Sequence, residues 1–255
     1  MAVLRVNGLT KYFGINSVFE NVSFELKSGE HVGLVGANGA GKTTLLKCIM
    51  GREEADRGTI KTSDGAVIGY LRQDFDYAGE TIRDEMEEAW KDVLFYKDRM
   101  ERLAAELEFH KDDADRVLEY GKTEARFEYL GGYDYESATK KILTGLGFTE
   151  EDWDRDIHSF SGGQKVRINL AAAFVRHPDF LLLDEPTNHL YMGMLEWLED
   201  YLRSYKGGVL MISHDRYFLD AAATGIIDLE NQRIHSYRGG YTRYMDTKTR
   251  ETKAY

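Results

Sequence analysis

Residues 36–43 have the spacing G-x-x-x-x-G-K-[ST], which is typical of a phosphate-binding loop between a strand and a helix. The flanking sequence fits, because residues 30–35 are predicted to form a strand and residues 43–50 the following helix. The backbone N–H groups of such a turn face phosphate oxygens at the positive end of the helix. The loop therefore predicts an α/β core with a phosphate site where one strand ends.

The side chains of this loop predict a nucleotide and a Mg²⁺ ion. Lys42 is long enough to reach the β- and γ-phosphates, and Thr43 offers a hydroxyl oxygen to Mg²⁺, which prefers oxygen ligands. Phe13 is predicted to stack on the adenine ring, with Tyr12 as the alternative, since either aromatic ring can equally be packing. The full predicted nucleotide-binding set of this region is Phe13, Gly36, Ala37, Asn38, Gly39, Ala40, Gly41, Lys42, Thr43 and Thr44.

Two acidic residues, Asp184 and Glu185, follow the apolar run 181–183. In an open parallel sheet ligands bind at the carboxyl ends of the strands. Because successive side chains of a strand point to opposite faces, the two carboxylates are expected to point in different directions. Asp184 is predicted to hold Mg²⁺ through water, and Glu185 to act as general base on the attacking water. Capping of the following helix by the two charges is the alternative.

Two more polar residues each follow a predicted strand. His214 comes after the apolar run 209–213 and is predicted to contact the γ-phosphate or the attacking water. Gln73 comes after residues 67–71 and offers an amide oxygen to Mg²⁺ or water. Neither residue is informative alone, so both predictions depend on the phosphate loop and the acidic pair.

Composition limits the alternatives. A chain of 255 residues with 42% hydrophobic content can bury one large core with an insertion. Cys48 is the only cysteine, and the sequence has neither a signal peptide nor an apolar stretch of roughly 20 residues. These features predict a soluble chain in a reducing cytoplasm that does not itself insert into a membrane.

The net charge of −11 argues against nucleic acid as a partner of the chain as a whole. From Arg233 onward, however, basic residues outnumber acidic ones. This segment is either a solvated basic helix or an anion-binding element.

The region from about residue 80 to 147 is predicted to be a helical hairpin. Apolar residues recur at helical spacing on both sides of a polar break at residues 110–113, including Leu103 before it and Val117 and Leu118 after it. This apolar stripe predicts either packing between the two helices or a partner-binding groove. Ser161 opens a later helix, which its hydroxyl is placed to cap.

The order of these motifs resembles the nucleotide-binding domain of the ATP-binding-cassette (ABC) superfamily over nearly the whole chain. The resemblance implies an ATPase that uses ATP and Mg²⁺. It implies an α/β fold with a RecA-like parallel sheet, a small antiparallel β subdomain and an inserted helical arm subdomain. It also implies that a signature sequence binds ATP held by the phosphate loop of a second, head-to-tail ABC domain. The signature residues are Ser161, Gly162, Gly163 and Gln164.

On this basis residues 1–255 are predicted to be one ABC domain. Residues 1–79 and 148–239 are assigned to the ATP-binding core, which includes the signature helix. Residues 80–147 are assigned to the inserted arm subdomain, and residues 240–255 to the start of a basic interdomain linker.

Within the superfamily, residues 131–133, 184–190 and 213–220 resemble the ABC-F branch. Proteins of that branch have two ABC domains in one chain and lack membrane domains. Many bind the ribosome near its tRNA exit site, altering translation or protecting it from antibiotics. The resemblance therefore implies the first domain of a tandem translation factor, with the ribosome, its rRNA or tRNA as partner of the full-length protein.

One residue departs from the family pattern. After His189 and Leu190 the family has an aspartate that opens the next helix, whereas this chain has Tyr191, which cannot supply a carboxylate cap.

Besides the translation factor, two other functions stay open. The first is the ATPase subunit of a membrane transporter, coupled to a permease through a groove beside Gln73. The second is a nucleotide-dependent binding module without catalysis.

Overall fold

The computed structural model describes residues 2–71, 77, 79–109 and 113–253. The chain forms two compact units. The sheet unit comprises Met1–Gln73 and His177–Tyr255, and the helical unit comprises Asp74–Arg176. Gln73, predicted to contact Mg²⁺, lies outside the described residues.

The sheet unit contains the strands of both sheets. They are β1 (Val3–Phe13), β2 (Asn16–Lys27), β3 (His31–Val35), β4 (Arg57–Thr62), β5 (Ile68–Tyr70), β6 (Phe180–Asp184), β7 (Gly208–Ile212), β8 (Gly225–Glu230) and β9 (Arg233–Arg238).

The helices follow in chain order. They are α1 (Lys42–Ile49), α2 (Ile82–Ala89), α3 (Lys91–Phe109), α4 (Ala114–Tyr129), α5 (Tyr135–Gly145), α6 (Gly162–Val175), α7 (Met192–Ser204), α8 (Arg216–Ala222) and α9 (Tyr241–Lys253). Helices α2–α6 belong to the helical unit and the others to the sheet unit. None of them is long and apolar enough, within the described ranges, to cross a bilayer.

The larger sheet has the strand order β5-β6-β7-β3-β8-β9 and is parallel except for β9, which runs antiparallel to β8. Every residue of β6 and β7 is buried, as expected for central strands of a parallel sheet covered on both faces. Because β3, β6 and β7 are parallel, their carboxyl ends meet at one edge. This edge is where the phosphate loop and the acidic pair lie.

The smaller sheet, β2-β1-β4, is antiparallel. Leu4 and Val6 of β1 alternate with exposed Arg5, so one face of this sheet joins the apolar core that also includes Leu45 and Leu46 of α1. The α/β class, the parallel sheet and the antiparallel sheet predicted from the sequence are confirmed.

In the helical unit, α3 and α4 form the predicted hairpin. Two ion pairs, Arg99 with Glu119 and Arg116 with Glu106, connect the two helices. The expected packing of the second helix is wrong in detail. Val117 and Leu118 are more than half exposed, whereas Thr123 and Phe127 of the same helix are buried. Sequence spacing gave the period of the helix but not the face that meets α3. Val117 and Leu118 therefore lie on the outer surface.

The helix that follows Ser161, α6, belongs to the helical unit together with its neighbours α2 and α5. Residues 148–176 were instead predicted from the sequence to belong to the ATP-binding core. The compact units therefore divide the chain at a different point from the predicted domains, and the domain assignment stays a prediction.

Candidate functional site

The loop between β3 and α1 requires glycine at both ends. Gly36 has φ of 149° and Gly41 φ of 101°, in the left-handed region that disfavours other residues. A Cβ atom on Gly36 would come within 2.5 Å of the Leu229 carbonyl oxygen, and one on Gly41 within 2.4 Å of Val18. The close approach of β8 and β2 to the loop therefore explains the two glycines.

Lys42 is almost fully buried, and its ammonium group lies against the loop. Its Nζ donates hydrogen bonds to the carbonyl oxygens of Gly36 at 2.8 Å and Ala37 at 3.0 Å. A positive charge is thus held beside the backbone of the loop. This arrangement suits a ligand that brings its own negative charge, such as a phosphate.

Thr43 connects the loop to the end of β6. Its hydroxyl donates a hydrogen bond of 2.8 Å to Oδ2 of Asp184, although 141 positions separate the two residues. The Asp184 side chain is buried, so its carboxylate is fixed at this point. A hydroxyl oxygen next to a carboxylate oxygen is a donor set that fits Mg²⁺, which takes its remaining ligands from phosphates and water.

Glu185 follows at a sharp bend, with φ of 51°, which is uncommon for a residue other than glycine. Its N–H donates to the Ile212 carbonyl at 2.9 Å, so β7 supports the bend. Its Oε2 accepts a hydrogen bond of 3.3 Å from the His214 N–H, and its Oε1 lies 3.5 Å from His214 Nε2. The structure thus brings together the two residues that the sequence predicted for the attacking water.

Burial raises the pKa of the Glu185 carboxyl above its ordinary value, and the nearby charge of Asp184 adds to this effect. The hydrogen bond from His214 acts in the opposite direction, but burial dominates. A carboxylate with a raised pKa accepts a proton more readily. Glu185 therefore has the properties of a general base.

A cavity of 760 Å³ opens beside the loop. His214, two-thirds exposed, borders this cavity together with Lys42. The remaining lining residues are Asn16, Ser17, Val18, Val35, Gly36, Ala37, Asn38, Gly39, Ala40, Ser213, Asp228, Leu229, Glu230, Asn231, Gln232, Tyr241, Tyr244 and Lys248.

Phe13, predicted to stack on adenine, is half exposed and is not among the described lining residues. The Lys11 ammonium lies 5.0 Å from the centre of its ring. Tyr12, the alternative, donates its backbone N–H to Asp56 and its hydroxyl to Glu20. Phe13 is the more exposed residue of the two, although Lys11 lies over its ring.

Part of the cavity is formed by residues of β8 and α9 that the sequence did not predict for the site. Asp228 lies within β8 and Glu230 is its last residue, and Tyr241, Tyr244 and Lys248 are on α9. The only signal was the reversal of charge after Arg233. That reversal did not indicate where the segment would pack.

In the helical unit, the predicted cap of α6 is confirmed. The Gln164 N–H donates to Ser161 Oγ at 3.4 Å, and the Ser161 N–H donates to Gln164 Oε1 at 2.9 Å, which together form a capping box. Ser161 and Gly162 are exposed, and a Cβ atom on Gly162 would meet nothing within 4 Å. The start of α6 is thus accessible to another molecule.

Tyr191 occupies the N-cap position of α7 but receives no capping hydrogen bond at its side chain from the described residues. The side chain is about two-thirds exposed. Among the described residues, the first turn of α7 therefore lacks a hydrogen bond to the side chain of its N-cap residue.

The sequence matches the protein family described as ABC transporter over residues 19–188. It is 35% identical, over 97% of its length, to the putative ATP-binding protein YdiF of Bacillus subtilis and covers 39% of that protein. It is 37% identical, over 96% of its length, to ABC transporter F family member 5 of Arabidopsis thaliana and covers 36% of it. It is 32% identical, over 98% of its length, to the tylosin resistance ATP-binding protein TlrC of Streptomyces fradiae and covers 46% of that protein. The chain spans less than half the length of these relatives.

Among solved structures, an ATP-binding subunit of an ABC transporter superposes with a TM-score of 0.70. The alignment covers 92% of this chain and 90% of that subunit, at 23% identity. At this identity the likeness shows the fold alone.

Proposed function

This chain belongs to the ABC transporter family of ATP-binding domains, and we propose that it is the first ATPase domain of a tandem ABC-F protein that acts on the ribosome. Membership of the family makes it an ATPase domain. The F-family member among its relatives is consistent with the ABC-F branch. The ribosome and the tandem arrangement are the proposed part.

The observation that supports ATP hydrolysis most directly is the grouping of five side chains at one sheet edge. The loop N–H groups and Lys42 bind the phosphates. Glu185 takes the proton of the attacking water while His214 orients it. Thr43 and Asp184, with Gln73 as a further candidate, would hold Mg²⁺, which neutralises charge on the phosphate oxygens.

A second ABC domain is needed to complete each site. Ser161, Gly162, Gly163 and Gln164 are proposed to contact ATP bound by another domain, and the exposure of Ser161 and Gly162 permits this. The relatives are more than twice as long as the matched segment, which leaves room for a second domain in the same protein. In the full-length protein that domain is the expected partner.

The ribosome is proposed because of the ABC-F resemblance and because one relative is a tylosin resistance ATP-binding protein. Modulation of translation or protection of the ribosome from an antibiotic follows from that proposal. Exposed Arg233 and Arg238 on β9 and exposed Arg243 at the start of α9 form a basic surface suited to an anionic partner.

The alternative is the ATPase subunit of a membrane transporter. It is supported by a cleft of 480 Å³ in the helical unit, bordered by aromatic Tyr135 and Trp153 and by charged Arg83 and Glu136, which offers a mixed apolar and polar surface to a partner protein.

The test is sedimentation with purified ribosomes. Glu185→Gln protein is expected to pellet with ribosomes only when ATP is present and less at high salt, because hydrolysis-deficient protein stays in its ATP-bound form. Lys42→Ala protein serves as the matched control and should remain in the supernatant. The full-length protein is compared in parallel. If the full-length Glu185→Gln protein fails to pellet with ribosomes but fractionates with membranes, the ribosome proposal is wrong and the transporter alternative is favoured.

A further inference from the structure

A buried carboxylate adjoins the phosphate loop. Asp228 is 2% exposed and pairs with Val35, the last residue of β3 before the loop. Its neighbour Leu229 places a carbonyl oxygen against Gly36. Asp228 and Glu230 both border the cavity that contains Lys42. Two acidic side chains therefore lie in a cavity proposed to receive an anionic nucleotide.

Two side chains of α9 contact this acidic pair. The Tyr244 hydroxyl donates a hydrogen bond of 2.8 Å to Asp228 Oδ2. Lys248, one turn further along α9, places its Nζ 2.5 Å from the same oxygen and 3.0 Å from Glu230 Oε2. Burial by itself lowers the pKa of the Lys248 ammonium, but its hydrogen bonds to Asp228 and Glu230 outweigh this effect and raise the pKa. Lys248 is thus a fixed positive charge in the cavity.

We propose that Lys248 is a positioning residue for nucleotide binding, which neutralises Asp228 and Glu230 and makes α9 part of the ATP site. Without this ammonium, the two carboxylates would repel the phosphates of the nucleotide across the cavity. Buried Asp228 contributes most of this repulsion, because water screens the half-exposed Glu230 more strongly. The inference rests on the proposed ATP site. It links the affinity for ATP to a helix that lies some 200 residues after the phosphate loop in the sequence.

Other contacts hold α9 in place, so the ion pair can be removed without detaching the helix. Thr242 donates its backbone N–H and its hydroxyl to Asp220 of α8. Tyr237 of β9 donates its hydroxyl to Glu251 at 3.2 Å. These bonds lie on either side of Lys248 in the sequence and involve neither Asp228 nor Glu230.

The test compares the affinities of five purified proteins for ATP, ADP and adenosine by fluorescence titration at low salt. Besides the unsubstituted protein they are Lys248→Met, the double variant Asp228→Asn with Lys248→Met, Lys42→Ala as the control for the phosphate site, and Arg250→Met as the matched control. Arg250 is an exposed basic residue on the same helix. Melting temperatures are recorded for each protein.

Lys248→Met is expected to weaken ATP binding about fivefold, with a smaller effect on ADP and none on adenosine, because the repulsion grows with ligand charge. The double variant is expected to recover ATP affinity to within about twofold, since the buried carboxylate is gone. Arg250→Met is expected to bind all three ligands as the unsubstituted protein does.

Unchanged ATP affinity in Lys248→Met would overturn the proposal. An equal loss of affinity for ATP and for adenosine in Lys248→Met would also overturn it. The same holds if the double variant recovers its melting temperature but not its ATP affinity. Either result would show that the contacts of Lys248 serve only the stability of the fold. If the unsubstituted protein and Lys42→Ala bound ATP equally, the phosphate site itself would be wrong, and this outcome is distinct from a failure at Lys248 alone.

Discussion

At the scale of single residues, Glu185 combines a strained backbone with a partly buried carboxyl group. Its φ of 51° turns the chain out of β6, and the resulting position puts its side chain beside His214 rather than in line with Asp184. Strain of this kind is maintained only where the surrounding structure fixes the conformation. The bond from its N–H to Ile212 supplies part of that support.

Replacing Glu185 by glutamine is expected to preserve ATP affinity and to reduce hydrolysis about 10²- to 10³-fold, because the amide keeps the shape of the side chain but cannot take a proton. Single-turnover hydrolysis and equilibrium binding measure the two quantities separately. Glu196→Gln, at an exposed position on α7, is the matched control. Hydrolysis that stays at the unsubstituted rate in Glu185→Gln would contradict the role of general base.

The raised pKa of Glu185 predicts the pH dependence of that reaction. The base works only when deprotonated, so hydrolysis should fall as pH decreases through its folded-state pKa. Because burial raises this pKa, the decline should begin at a higher pH than an ordinary glutamate would give. A profile of kcat/KM for hydrolysis against pH, which reports the pKa in the ATP-free protein, gives the midpoint. A midpoint at the ordinary glutamate value would contradict the effect of burial.

At the scale of elements, helices α6 and α7 begin differently. The capping box of Ser161 and Gln164 satisfies N–H groups at the start of α6, whereas the Tyr191 side chain does not do so for α7. The backbone of Tyr191, with φ of −94° and ψ of 170°, nevertheless has the extended conformation that N-cap residues adopt. A side chain with an acceptor oxygen would therefore fit there.

Tyr191→Asp is expected to raise the free energy of unfolding by about 1 kcal/mol, since aspartate accepts a hydrogen bond from the first turn and interacts favourably with the helix dipole. Chemical denaturation measures the change. Tyr191→Ala, which removes the ring but adds no acceptor, is the control and should not show this gain. Equal stability of the aspartate and alanine variants would show that the cap does not form.

At the scale of the whole molecule, the phosphate loop belongs to the sheet unit and the signature sequence to the helical unit. A complete site is proposed to use the loop of one domain and the signature of another. Two copies of this chain would then form two sites, and hydrolysis by the isolated chain should depend on its concentration.

Mixing two inactive variants tests this arrangement. Lys42→Ala removes the loop cation, and Ser161→Asp keeps a helix cap but adds a negative charge where the γ-phosphate of another copy is proposed to lie. Each variant alone is expected to lack hydrolysis. Their mixture should recover part of it, because one site of the mixed pair has an intact loop and an intact signature.

Ser159→Asp, at an exposed position two residues before Ser161, is the matched control and should remain active. Specific activity should also rise with protein concentration in the mixture. No recovery at any concentration would contradict sites shared between two copies.

The sequence by itself determined the elements whose chemistry is local. The glycine spacing of the loop, the cap at Ser161 and the apolar run before Asp184 each depend on residues a few positions apart. Backbone propensity and hydrogen bonding between near neighbours fix such features in almost any context. The α/β class followed, because a strand, a phosphate loop and a helix in that order require it.

Only the tertiary structure decided which distant residues meet. The hydrogen bond of Thr43 to Asp184, the burial that raises the pKa of Glu185 and the contact of Lys248 with Asp228 all depend on packing between separate elements. The spacing of apolar residues also did not determine which face of α4 is buried, since the apolar residue Leu118 is exposed. The physical reason is that burial and charge pairing are properties of neighbours in space, which a linear pattern does not specify.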